Sequence, residues 1–390
     1  MKQHRIPAVF MRGGTSRALM LKQGDLPSDR EKWPAIFRAM LGSPDPNGRQ
    51  LDGMGGGISS LSKICVIAPS ARDDADVDYT FAQVSVTGDT VDFSGNCGNM
   101  SSAVGPFAVD EKLVPVPDDG DVTIRIFNTN TNKIIHSTFA VQGGESVVVG
   151  DLPIPGVAGA GAPVRLDFFY PGGTQGRGIL PAGAARSVLE LADGRRCEAS
   201  LVDAGVPAVF VTASSAGLGP EIMDHDLEND SRTMARLEEI RCAASVAMGI
   251  SASREEATAI IAIPKVAIVA RAQNYHDLSK QPVNATDHAL TIRMISAGQP
   301  HKAVPITGAL AVACAAVIPG SIIADIIAST GCDRARLPIG TPSGVVTVGT
   351  ALDASANAAG AVPGIERAFL YRTQRRLMEG AVCISPSVLT

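Results

Sequence analysis

Lys63-Ile64-Cys65-Val66-Ile67-Ala68 and Lys265-Val266-Ala267-Ile268-Val269-Ala270 are the same phrase written twice. A lysine opens a short apolar, β-branched run, which reads as a strand buried on both faces. Each run is followed, some way on, by a glycine-containing turn and a small-residue helix, Gly95 to Gly105 in the first case and Gly308 to Ala316 in the second. The repetition suggests a duplicated pair of strand-rich domains, each with a helix inside.

The sequence around these runs is dominated by strands. Residues 5–11, 16–22 and 63–69 are extended and apolar. Residues 81–87 and 90–94 alternate around Gly88-Asp89, a hairpin signal, and 121–128 with 132–141 form another. Short helices are predicted over 29–41 and about 101–109. A Gly/Pro-rich stretch from 142 to 183 carries short strands near 146–149 and 163–169 and leads toward a second half. There, 198–203, 208–212, 258–270, 288–295, 344–351 and 366–371 read as strands. Residues 231–248 place Met234, Leu237, Ile240, Ala244 and Met248 at helical spacing, and a last helix runs from about Thr307 to Val317, ended by Pro319-Gly320.

Composition narrows the function classes. The chain has 390 residues, 45% hydrophobic and 19% charged, so it folds around a large core. Glycine (40) and proline (25) are frequent, which favours short elements and sheet over a helical bundle. With 34 basic against 39 acidic residues and 4% aromatics, there is neither the charge nor the stacking surface for nucleic acid. The apolar segments near 258–270 and 303–329 are broken by Pro264, Lys265, Pro305 and Pro319, so no membrane span is expected. The polar start, Met1 to Arg5, does not read as a signal peptide. Seven cysteines without CxxC or regular spacing read as reduced thiols in the cytoplasm. The six histidines are dispersed, with no HExxH or compact Cys/His set, so no metal is expected.

Four segments carry candidate chemistry. In Ser94-Gly95-Asn96-Cys97-Gly98-Asn99-Met100 a strand ends, two glycines permit unusual backbone angles, and a helix begins. A thiol there lies near free helix N–H groups, which favour a thiolate and also bind carboxylates. The second segment, Asp52-Gly53-Met54-Gly55-Gly56-Gly57-Ile58-Ser59-Ser60-Leu61-Ser62-Lys63, offers donors to an anion and ends on a lysine entering a buried strand. It is neither a P-loop nor a dinucleotide fingerprint. A flexible loop with a solvated lysine is an equal reading. Met11-Arg12-Gly13-Gly14-Thr15-Ser16 reads as a donor-rich turn or as a plain hairpin turn. His301-Lys302-Ala303-Val304-Pro305-Ile306-Thr307-Gly308-Ala309 opens a helix with a cation, a hydroxyl and free amides, as an anion site or as a simple Thr N-cap. One thiol, one amine and several donor-rich loops without a cofactor motif suit proton transfer on a polyanionic carbon acid.

At these residues a resemblance enters. MRGGTS (11–16), GSPDP (42–46), DGMGGG with SK (52–63), SGNCGN (94–99) and HKA with TGA (301–309) resemble the PrpF family, in matching order along nearly the whole chain. The family includes 2-methylaconitate cis-trans isomerase, aconitate isomerase, 3-methylitaconate Δ-isomerase and 4-oxalomesaconate tautomerase. The resemblance implies an α+β, mostly β, diaminopimelate-epimerase-like fold. Its two pseudo-symmetric domains, taken here as 1–185 and 186–390 with a last strand that crosses over, are each a β-barrel-like sheet around a central helix, and the active site lies between them. It further implies Lys63 and Cys97 as the acid/base pair. Substrate carboxylates would be held by Ser16, Ser60, Asn96, Gly98, Asn99 and Met100, and by Lys302, Thr307, Gly308 and Ala309. Ala311 is aligned where some relatives carry a second cysteine, which weakens a two-thiol racemase mechanism.

The expected function is a cofactor-independent isomerase of an unsaturated di- or tricarboxylate, cytoplasmic and a homodimer or larger homo-oligomer. It acts on an aconitate, a 2-methylaconitate or, alternatively, a 4-oxalomesaconate. An amino-acid epimerase and a non-catalytic accessory protein to a methylcitrate dehydratase are the readings of other classes.

Overall fold

The computed structural model describes residues 3–219, 227–296, 298–353 and 363–388. The chain divides into two compact units, one of Met1–Asp167 with Tyr371–Thr390, the other of Phe168–Leu370. The first unit takes back the C-terminal strand, and its division from the second falls at residues 167/168 and 370/371, beside the expected division at 185/186 with a last strand that crosses over.

Unit 1 contains β1 (His4–Gly13), β2 (Ser16–Lys22), α1 (Trp33–Leu41), β3 (Lys63–Pro69), β4 (Val77–Val84), β5 (Val91–Asp92), α2 (Gly98–Asp110), β6 (Gly120–Asn128) and β7 (Lys133–Gln142). β1 and β2 form a hairpin. β2 then pairs with β3 in parallel, Leu19 opposite Ile64, across the connection that holds α1. β3 and β4 are antiparallel, with Lys63 opposite Gln83. β4 and β6 are parallel across the connection that holds α2, and β6–β7 is a hairpin. The strand Gln374–Ile384 closes against β1. Parallel neighbours need a long crossover, which is why a helix lies inside each of these two connections.

Unit 2 repeats the plan. Its elements are β8 (Ser187–Glu190), β9 (Arg196–Ala204), β10 (Val206–Thr212), α3 (Ser231–Ala247), α4 (Arg254–Ala259), β11 (Lys265–Arg271), β12 (Leu290–Ser296), β13 (Gln299–Pro300), α5 (Ile306–Val317), α6 (Ile322–Ile327), β14 (Leu337–Thr341) and β15 (Gly344–Leu352). β8 lies on β9, β9–β10 is a hairpin, and β10 is parallel to β11 across α3 and α4. β11 is antiparallel to β12, with Val266 opposite Ile295. β12 is parallel to β14 across α5, and β14–β15 is a hairpin. The weak echo between two lysine-led strands is thus a duplicated topology.

Each unit wraps its sheet around one helix. α5 buries eleven of its residues, among them Ala309, Leu310, Ala311, Val312 and Cys314, chiefly against β9, β10 and β15. α2 buries ten and touches β1, β2, β3, β6 and β7. A helix enclosed on all sides has no polar face, and only small residues let the strands close round it at normal packing density. Alternation on the strands divides the layers. Ala267 and Val269 of β11 face α5, whereas Val266 and Ile268 face α3.

The structure corrects the secondary-structure reading in three places. The strand expected over 258–270 begins only at Lys265. Before it, Ser253 caps α4 by accepting from the Glu256 N–H at 3.1 Å, and Pro264 has no N–H for the ladder. The second arm of the hairpin around Gly88 shrinks to Val91–Asp92, with Ser85 N–H donating to Thr90 O at 2.9 Å across a longer turn. α2 starts at Gly98 rather than near Ser101, which makes Cys97 its N-cap residue.

Candidate active site

The first constellation lies in unit 1, where β2, β3 and α2 begin. Cys97 is half-buried, and its Sγ lies 3.9 Å from Ser16 Oγ, the first residue of β2. Ser101 N–H closes the first helical turn onto Cys97 O at 3.0 Å. The N–H groups of Gly98, Asn99 and Met100 have no hydrogen-bond partner among the described residues. These are the orphan donors of a helix start, and they sit at its positive end. Asn96 turns inward, its Oδ1 accepting from Ser101 Oγ at 3.5 Å.

Neither Gly95 nor Gly98 adopts a left-handed backbone, so the expected need for unusual angles is not what puts glycine there. The glycine that matters sterically is Gly13. A Cβ at that position would lie 2.7 Å from Asn99 O and 3.0 Å from Met100 Cα, so the end of β1 can press against α2 only without a side chain.

Lys63 is 7% exposed at the start of β3. Its Nζ donates to Gln83 Oε1 across the strand pair and lies 5.1 Å from the centre of the Phe81 ring. No carboxylate pairs with it among the described residues. Gln83 is itself fixed, its Nε2 donating to Ser59 O (3.0 Å) and Ser62 O (2.9 Å). Cys65, one step along the same face of β3, feels both Cys97 and Lys63 electrostatically, so the fold brings thiol and amine to one region. Cys65 is no candidate nucleophile. Burial pushes its thiol far up, and it contacts Tyr79 Oη at 3.7 Å.

The glycine-rich loop before Lys63 packs over a buried side chain. Gln50, 1% exposed, donates from Nε2 to Ser43 Oγ (2.8 Å) and Ser62 Oγ (2.7 Å), and accepts from Gly57 N–H (2.9 Å). A Cβ on Gly55 would stand 2.2 Å from Gln50 Oε1. The glycines let the loop fold over a buried carboxamide, and the loop in turn anchors the turn leading to Lys63. Ser60 lies half-buried on that turn, Ser59–Leu61.

Two groups escaped the sequence reading. Gln83 is the first. Arg372 is the second, and it comes from the far end of the chain, 6% exposed, donating from Nε to Asn99 Oδ1 at 3.2 Å. Asn99 Nδ2 in turn donates to Thr15 Oγ1 at 3.1 Å. Burial lowers the Arg372 guanidinium to about 10, and no carboxylate pairs with it among the described residues. No local signal marks either residue, since each meets its partner only through a contact between segments distant in the chain.

The remaining candidates lie in unit 2. Pro305, not Thr307, is the N-cap residue of α5, and Thr307 is half-buried inside its first turn. Ala309 N–H is already bonded to Pro305 O at 2.8 Å, so among the candidates on α5 the open amides are those of Thr307 and Gly308. Lys302 is exposed, and its carbonyl accepts from Ser343 Oγ. The cap position that mirrors Cys97 therefore holds Pro305. Ala311 lies deeper and fully buried, and Cys314 is buried with its thiol pushed far up. Among the described residues no cluster of three or more His, Cys, Asp or Glu could hold a metal ion, and no helix is long and apolar enough to cross a membrane.

The 3-methylitaconate isomerase of Eubacterium barkeri is 38% identical over 390 residues, 99% of each chain. The 2-methyl-aconitate isomerase of Cupriavidus necator is 37% identical over 97% of each chain. The 4-oxalomesaconate tautomerase of Pseudomonas putida is 34% identical over 98% of this chain and 97% of its own. The crystal structure of a methylitaconate-delta-isomerase matches with a TM-score of 0.88 at 36% identity, covering 100% of this chain and 98% of that one. A probable proline racemase from Agrobacterium radiobacter, 12% identical with a TM-score of 0.50 over 98% of this chain and 94% of its own, shares the fold alone. The PrpF protein family matches residues 3–385, and with full-length relatives above 30% identity the chain belongs to the PrpF family.

Proposed function

We propose that the protein is a cofactor-independent isomerase of an unsaturated di- or tricarboxylate, moving a C=C bond or its geometry by proton abstraction and return. The observation that carries this is a buried amine without an acid partner and a thiol at an open helix N-terminus in one region of unit 1. The names of the relatives support the substrate class.

Lys63 is the base. It takes a proton from carbon next to the alkene, and the electron pair spreads over the double bond and the adjoining carboxylate as a dienolate-like anion. A proton then returns at another carbon, delivered by Cys97 or with Cys97 orienting the substrate. The barrier is the acidity of the C–H bond, and donors already aimed at the carboxylates lower it. Ser16, Ser60, Asn96 and the amides of Gly98, Asn99 and Met100 supply such donors in unit 1. Lys302, Thr307 and Gly308 are proposed for a further carboxylate.

The test is incubation in D₂O with cis- and trans-aconitate, 2-methylaconitate, 3-methylitaconate and 4-oxalomesaconate, read by proton NMR, with Lys63→Met, Cys97→Ala and Cys97→Ser beside wild type. Isomer formation with deuterium uptake, lost in a folded Lys63→Met, fixes the reaction and the base together. Because general acid–base groups are worth about 10²–10⁴-fold, wild-type rates in that variant would refute the assignment. Near-full activity of either Cys97 variant would reduce the thiol to positioning. No turnover on any member of the panel would favour a binding role.

A further inference from the structure

The hydrogen-bond partner of the Lys63 amine carries no charge. Across the β3–β4 pair, Lys63 stands opposite Gln83, Cys65 opposite Phe81 and Ile67 opposite Tyr79. Residues paired in this way share one face of the sheet. Ile64 and Val66 point the other way, into the cluster around α1. On the shared face Lys63 Nζ donates to Gln83 Oε1, and the Phe81 ring lies beside it, 5.1 Å from the nitrogen to the ring centre.

A carboxamide accepts at one end and donates twice at the other, and the two ends are nearly the same shape. The surroundings decide which end meets the amine. Both Nε2 protons of Gln83 are taken, one by Ser59 O at 3.0 Å and one by Ser62 O at 2.9 Å. Ser62 is itself held. Its carbonyl also accepts from Val84 N–H at 3.1 Å. Its buried Oγ accepts from Gln50 Nε2 at 2.7 Å and donates to Val84 O at 2.9 Å. A flipped Gln83 would set its oxygen against two carbonyl oxygens and its N–H groups against the amine. The turn before β3 therefore fixes Oε1 on Lys63.

An amine acts as a base through its lone pair. A donor beside it would occupy that pair, whereas an acceptor takes only an N–H and leaves the pair free. A carboxylate would also accept, but its charge would hold the amine as ammonium. The titratable neighbours on the shared face add no such charge. Cys65 feels both Lys63 and Cys97 and contacts Tyr79 Oη, and burial pushes the Cys65 thiol and the Tyr79 phenol far up. We propose that Gln83 is the positioning residue of Lys63. Its Oε1 holds one amine N–H and leaves the lone pair for the reacting carbon, and the Ser59 and Ser62 carbonyls keep it from turning. This rests on the assignment of Lys63 as the base proposed above.

The test is the pH dependence of kcat and kcat/KM for Gln83→Glu and Gln83→Met beside wild type and Lys63→Met, on whichever member of the substrate panel wild type turns over. Each variant is checked by thermal melting. Gln83→Glu puts a carboxylate beside the base, so the acid limb of its profile should lie about 1 pH unit or more above that of wild type, with activity recovering as pH rises. Gln83→Met removes the acceptor, and kcat should fall about 10- to 100-fold, the range for one hydrogen bond to a charged group, with KM within about threefold of wild type. If one variant does not fold, the other decides. With Lys63→Met inactive, a Gln83→Glu profile that superimposes on wild type, or a Gln83→Met with full kcat, overturns this proposal alone and leaves Gln83 a structural residue. A loss confined to KM overturns it in favour of a contact with substrate. An active Lys63→Met, or a wild type that exchanges no deuterium on any member of the panel, overturns it together with the assignment of the base.

Discussion

Gly13→Ala tests the packing that builds the site. Gly13 is not in the left-handed region, so alanine meets no backbone penalty, and the whole effect comes from contacts. The added methyl would lie 2.7 Å from Asn99 O, 3.0 Å from Met100 Cα and 3.3 Å from Ala103 Cβ. Two of the three are backbone atoms of a buried helix, which cannot rotate away, so the end of β1 must retreat from α2. Overpacking of this kind costs about 1–3 kcal/mol. At about 2–4 °C per kcal/mol for a unit of 150–250 residues, the melting temperature should fall by about 2–12 °C. The turn that carries Ser16 moves with β1, so the 3.9 Å approach of Ser16 to Cys97 opens. A displacement near 1 Å can cost about 10²-fold in rate. Gly95→Ala is the matched control, because a methyl there meets nothing within 4 Å and the backbone is ordinary. Scanning calorimetry and the deuterium-exchange assay on both variants decide the matter. Equal melting temperatures and equal rates for the two would show that β1 and α2 are not held as described.

Two further outcomes follow from the electrostatics. His288 and His301 are both held below the ordinary histidine value, chiefly by burial. The unfolded chain accepts protons that the folded one refuses, so their contribution to stability is full above the unfolded value of about 6.5 and is lost as pH falls below it. Denaturant midpoints should be lower at pH 5.5 than at 7.5, and His301→Gln should narrow the gap; an unchanged gap would refute the assignment to His301. Arg372→Met should leave the melting temperature near wild type, because removing a buried guanidinium without a carboxylate partner offsets the two hydrogen bonds it donates. It should slow turnover about tenfold by releasing the Asn99 carboxamide, an effect of about one charged hydrogen bond. Full activity of this variant would make Arg372 purely structural.

The sequence by itself determined the local elements. Alternation and β-branched runs set the strands, and small residues without a polar face marked the enclosed helices. The matching of Lys63-Ile-Cys-Val-Ile-Ala with Lys265-Val-Ala-Ile-Val-Ala pointed to a duplicated plan. Cys97 and Lys63 stood out as candidates because each stands beside a local signal, a helix start or a strand start. Tertiary structure alone decided what lies across from each of them. Gln83 faces Lys63 through antiparallel register, Ser296 faces Lys265 in the same way, and Arg372 reaches Asn99 from the C-terminal part of the chain. It also decided that the glycines at 53–57 fold over the buried Gln50 carboxamide, that α2 begins at Gly98, and that Pro305 occupies the cap position in unit 2. The physical reason is the range of the interactions. Propensity and period act over a few neighbouring residues, whereas register, close approach and the pairing of buried polar groups depend on segments far apart in the chain.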